Sequence, residues 1–113
     1  MGVLRLVLTV PGARSLKDRR RPVRALMDRI RHRFDVSVAE LPDDATPSRQ
    51  TIVMTVVGNE RRHVAEVLDR IRLFAEGGRD TWPIAVDVDV FRWHPVEDWQ
   101  GRDLILSEDE DDG

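Results

Sequence analysis

The sequence predicts an α+β domain with elements in the order β-α-β-β-α-β, and three observations predict it. Four short segments carry apolar residues at the two-residue period of a strand. Two longer segments carry them at the three-and-four spacing of one helix face. Proline, glycine and asparagine fall between these segments, where the chain must turn. The 113 residues suit one domain with a modest core.

The first strand is Gly2 to Val10, with Leu4, Leu6, Leu8 and Val10 on its core side. Pro11-Gly12 ends it. Ser15 to Asp18 reads as a capping box opening the first helix, in which the serine hydroxyl accepts from a backbone N–H three residues on. Pro22 lacks an N–H and crowds the carbonyl four residues back. The helix therefore either starts near Arg20 or Arg21, with Pro22 in its first turn, or starts early with a local kink, and the early start is preferred. It runs to about Arg33, with Val23, Leu26, Met27, Ile30 and Phe34 as its apolar stripe.

Asp35 to Leu41 is a short strand, and Pro42 to Arg49 a polar loop. Gln50 to Val57 is apolar on both sides, so it should be central. Asn59 is expected to cap the second helix, Glu60 to about Glu76, whose stripe is Val64, Val67, Leu68, Ile71 and Phe74. Gly77-Gly78 stops it. The fourth strand is expected over Ile84 to Trp93, with Ile84, Val86, Val88 and Val90 facing in. Residues 1–95 form the domain, and 96–113 an extension ending in the acidic, disordered tail SEDEDDG.

This order is the split βαβ, or ferredoxin-like, arrangement: two helices on one face of a four-stranded antiparallel sheet. The open face should present Val3, Arg5, Val7, Val53, Thr55, Val57, Asp87 and Phe91. Arg5 is placed to pair with Asp87 or Asp89 across strands.

Composition narrows the function classes. No cysteine is present, which removes disulfides and thiolate chemistry. No apolar run approaches the roughly 20 residues of a membrane span. The first ten residues are too short and regular for a signal peptide, so the protein is read as cytoplasmic. The net charge of −3 conceals a dipolar chain. Residues 14–33 carry nine Lys/Arg against two acids, and residues 97–113 carry eight acids against Arg102. A local patch sets the local field, so a polyanion partner is compatible with the acidic whole.

The segment GVLRLVLTVPGARSLKDRRRPVRALMDRIRHRFDVSVAEL resembles the start of the YlxP-like family, a small bacterial family catalogued as a domain of unknown function. The segment VVGNERRHVAEVLDRI resembles its second block, and together the likeness covers roughly residues 2–92. The chain departs from the family pattern in its loop at 42–49, at Pro22 and in its longer acidic tail. The resemblance implies a ferredoxin-like fold and a gene context shared with translation and ribosome-maturation factors. It implies no catalytic residue.

The chemistry follows from the charges. Arg14, Lys17, Arg19, Arg20, Arg21, Arg24 and Arg31, with Arg61 and Arg62 at the second helix, are the candidate RNA- or anion-binding residues. Guanidinium groups suit phosphates through planar, bidentate hydrogen bonds. The bland alternative is a solvated face with local pairs such as Asp28 to Arg24 or Arg31. The expected partner is ribosomal RNA or a ribosome-assembly particle, contacted by a non-enzymatic accessory factor. The alternative is a protein-interaction module that homodimerises, or binds a partner, through Val3, Arg5, Val7, Val53, Thr55 and Val57. Those side chains offer no aromatic platform for base stacking.

A third, weaker reading places a small anion or acyl phosphate at Arg14 and Asn59, by analogy with the acylphosphatases, whose glycine-rich loop is absent. His32, His63 and His94 lack metal-pair spacing, so neither metal nor cofactor is expected. The acidic tail either solubilises the chain or folds over the arginine helix and competes with nucleic acid.

Overall fold

A computed structural model describes residues 1–41 and 46–92. The elements are β1 (Gly2–Thr9), α1 (Leu16–Arg33), β2 (Ser37–Leu41), β3 (Arg49–Val56), α2 (Arg61–Glu76) and β4 (Trp82–Val90). The strands form one antiparallel sheet in the order β2-β3-β1-β4, so β1 and β3 are central. This is the α+β ferredoxin-like fold. The C-terminal extension and the first half of the polar loop, residues 42–45, lie outside the described residues.

Alternation in the central strands builds the core. Leu4, Leu6 and Leu8 of β1 and Ile52, Met54 and Val56 of β3 point to one side of the sheet. Val23, Leu26, Met27 and Ile30 of α1 and Val64, Leu68, Ile71 and Ala75 of α2 close over them. Each large aliphatic side chain so buried contributes about 1.5–3 kcal/mol. Phe34 and Phe74 meet edge to face, ring centroids 5.7 Å apart, at the seam between the helices.

The early start of α1 holds. Ser15 is the N-cap, and its Oγ accepts from the Asp18 N–H at 3.1 Å. The Asp18 carboxylate accepts from the Arg14 N–H at 3.2 Å, a residue earlier than a capping box requires. The helix assignment continues through Pro22, which deprives the Asp18 carbonyl of its helical donor.

Two expectations are corrected. The cap of α2 is Glu60, with no side-chain cap bond, and Asn59 precedes it. The start of α2 is thus set by its apolar stripe, not by an asparagine cap. The second correction concerns β4. Val86 and Val88 share the helix-side face with their neighbours Leu6 and Leu4, as expected. They nevertheless remain 45% and 49% exposed, and Ile84 is 55% exposed. β4 is an edge strand, and its register with β1 shifts at a bulge between Val7 and Leu8, so that Pro83 rather than Ile84 stands opposite Leu8. Period-two alternation reports a face, not whether that face is covered.

One packing point yields a prediction. Gly2 lies directly beneath α2, where an added Cβ would stand 2.5 Å from Val64 Cγ1 and 2.7 Å from Leu68 Cδ1. Gly2→Ala forces those side chains aside and is expected to destabilise the domain by about 1–3 kcal/mol. Chemical denaturation should read this as a lower midpoint at unchanged slope; an unchanged midpoint would show that α2 yields without strain.

Candidate nucleic-acid interface

The basic residues of α1 divide into two groups. Arg19 is buried against the body. Its Nη1 donates to the Thr46 and Arg49 carbonyls at 3.1 and 2.7 Å. It ties α1 to the start of β3 and is withdrawn from the candidate contacts. Sequence reasoning missed this because Arg19 sits inside a run of arginines. Only its position one turn before Val23, on the core stripe, signals the role. Arg31 is partly committed too: it pairs with Asp28 at 3.2 Å and donates to the Val38 carbonyl at 2.9 Å.

The second group faces solvent. Arg14, Lys17, Arg20, Arg21, Arg24 and Arg29 are exposed, and among the described residues none is in an ion pair. The arginine of α2 offers a contrast. Arg72 sits between Asp69 and Glu76, each at 2.7 Å, and its pKa is raised, first by the Asp69 hydrogen bond. Arg72 is thus compensated by acids on its own helix, whereas these six cations at α1 are not. At 1.5 Å per residue, α1 displays its cations over about 27 Å.

The structure adds residues that the sequence reading did not single out. An open cleft of ≈ 570 Å³ lies beside α1, lined by Arg21, Pro22 and Ala25 and by Arg79, Asp80 and Trp82 across from them. Trp82 is 55% exposed. Arg79 follows the helix-stopping glycines, and Trp82 opens β4. An exposed tryptophan in a chain with few aromatics was the available signal.

Other candidates are set apart by the topology. β1 and β3 are antiparallel, so the turn after β1 and the turn after β3 lie at opposite ends of the sheet. Arg14 and Asn59 therefore do not converge on one anion site. Arg61 and Arg62 lie at the Asn59 end, away from Lys17 and Arg21. Arg61 Nη2 donates to the Val90 carbonyl at 3.2 Å.

The open sheet face is small-chained and mixed. Arg5 and Asp87 pair at 2.6 Å in its middle, as expected, with Val53 beside Arg5. Val3, Val7, Val53 and Thr55 are half-buried there. Val57 lies just beyond β3 and is 80% exposed. Among the described residues, no helix is long and apolar enough to cross a membrane.

No curated protein matches the chain. The family described as protein of unknown function (DUF503) matches residues 1–87, which include α1, both central strands and most of β4. The chain belongs to the DUF503 family.

Proposed function

We propose that the protein is a non-enzymatic, cytoplasmic accessory factor that contacts ribosomal RNA or a ribosome-assembly particle through the solvent face of α1. The observation that carries this reading is the exposed, acid-free set Lys17, Arg20, Arg21, Arg24 and Arg29. Uncompensated guanidinium groups along one helix attract a phosphate backbone and release its counterions. Arg79 and Trp82 at the adjoining cleft add one more cation and one aromatic surface, a combination suited to an unpaired nucleotide. The likeness to the YlxP-like family, with its translation-linked gene context, points the same way.

Sedimentation of a cell lysate through a sucrose gradient tests the reading. The protein is expected to travel with a ribosomal subunit or its precursor at low salt and to be released at high salt. Retention at the top of the gradient in both salts contradicts it.

A protein-interaction role for the open sheet face is the second reading. It is favoured by the half-exposed valines around the Arg5–Asp87 pair. Val7→Asp should abolish such an interaction and leave RNA binding unchanged.

A further inference from the structure

We infer that the cleft beside α1 is one end of a longer groove that takes single-stranded RNA, with an unpaired base on Trp82 and the flanking phosphates on Arg21, Arg29 and Arg79. The inference rests on the RNA reading and names the kind of RNA that the site selects.

Two clefts make the groove. The first, ≈ 570 Å³, has Arg21, Pro22 and Ala25 on its α1 side. The second, ≈ 290 Å³, has Leu26 and Arg29 on its α1 side, with Phe74, Gly77 and Gly78 from the end of α2. Arg79 and Asp80 line both, so the two clefts adjoin. Pro22, Ala25, Leu26 and Arg29 follow the three-and-four spacing of one helix face. The groove therefore runs along α1 for about 12 Å, from Arg21 to Arg29. Its wider part alone has the size of a ligand pocket, about 300–1,000 Å³.

The wall opposite α1 is built in advance. The Gly77 and Gly78 N–H groups donate to the Phe74 and Ala75 carbonyls, each at 3.2 Å. Thr81 is 1% exposed, which pins the chain between Asp80 and Trp82. A Cβ on Gly78 would stand 3.2 Å from the Thr81 carbonyl oxygen, so the turn is closely packed. A wall already fixed costs little ordering entropy when a ligand arrives.

The lining chemistry identifies the ligand. Arg21, Arg29 and Arg79 are exposed, and among the described residues none is in an ion pair. Their guanidinium forks suit phosphates. Trp82 is 55% exposed and offers a face on which any base can stack. Among the described lining residues Asp80 is the one acid, and it too is in no described ion pair. A carboxylate repels a bare phosphate but accepts from a ribose hydroxyl or a base amine. Cations, an aromatic surface and an acceptor together fit a nucleotide better than an inorganic polyanion. A duplex keeps its base faces stacked inside, so only an unpaired segment can use Trp82.

Fluorescence anisotropy of the full chain with two labelled RNAs tests this: a blunt hairpin, and the same hairpin carrying a short unpaired overhang. The overhang is expected to tighten binding at least about fivefold, the lower end of what one stacked base contributes. Trp82→Ala is expected to bring the overhanging RNA down to the affinity of the blunt hairpin, and Trp82→Phe to keep most of the gain. Arg79→Gln should flatten the salt slope for the overhanging RNA by about 0.7. Equal affinity for the two RNAs, or a gain that survives Trp82→Ala, overturns the proposal and leaves the contact of α1 with RNA standing. Inorganic polyphosphate that displaces the overhanging RNA as well as a single-stranded oligonucleotide of equal charge also overturns it, and makes the groove a plain anion site. Absence of binding to either RNA overturns this proposal and the RNA reading together.

Discussion

Reversing Arg20, Arg21 and Arg24 to glutamate is expected to abolish RNA binding while leaving the domain folded. All three side chains are exposed and without an acid partner among the described residues. Their replacement breaks no described contact, and exposed substitutions of this kind usually stay within about 0.5 kcal/mol. Each lost phosphate contact lowers the slope of log affinity against log salt by about 0.7–0.9. Three reversals should therefore flatten the slope by roughly 2–3 and cost at least about a hundredfold in affinity at low salt. Fluorescence anisotropy of a labelled RNA hairpin across a salt series reads both quantities. Equal slopes for the two proteins would remove α1 from the contact.

Arg19→Ala is expected to do the opposite. Among the described residues it removes two hydrogen bonds from one guanidinium and leaves the Thr46 and Arg49 carbonyls without that donor. Losing one partner of a buried polar contact costs about 1–3 kcal/mol per group left unpaired. Thr46 to Arg49 beside it are half-buried or exposed, so water compensates in part and the sum should be about 2–3 kcal/mol. Thermal unfolding should show a clear fall in midpoint, with the α1–β3 junction exchanging amide hydrogens first. RNA affinity, measured well below that midpoint, should stay near the original value. If Arg19→Ala weakens RNA binding as much as Arg21→Ala and leaves stability alone, the division of α1 into structural and binding arginines is wrong. The pair of variants separates two roles that one run of letters, Arg19-Arg20-Arg21, does not.

That run shows where sequence reading stops. The architecture was legible because its signals are local: Leu4, Leu6 and Leu8 alternate, Val23 to Ile30 follow a helix, and Ser15 caps. The central place of β3 followed from its two apolar sides. The pairing of Arg5 with Asp87 followed from the topology. Neighbourhoods made by distant segments were not legible. Arg19 is fixed by carbonyls 27 and 30 residues away. Arg79 and Trp82 reach Arg21 only because the end of α2 and the start of β4 return beside the start of α1. Arg14 and Asn59 looked like partners until the antiparallel strands placed them at opposite ends of the sheet. Ile84, Val86 and Val88 have the pattern of core residues, yet the edge position of β4 and the bulge at Ile84 leave them exposed. In each case the missing quantity was which surface the rest of the chain covers.

The central claim is that the uncompensated cations of α1 hold RNA by its phosphates. The most direct measurement is the salt dependence of RNA affinity for the full chain, taken with a ribosomal RNA fragment and with an unrelated RNA of equal length. The account predicts a steep linear fall of log affinity with log salt for the ribosomal fragment, and a slope that the Arg20, Arg21 and Arg24 reversals flatten. An affinity that is absent at low salt, or insensitive to salt and to the reversals, would contradict it.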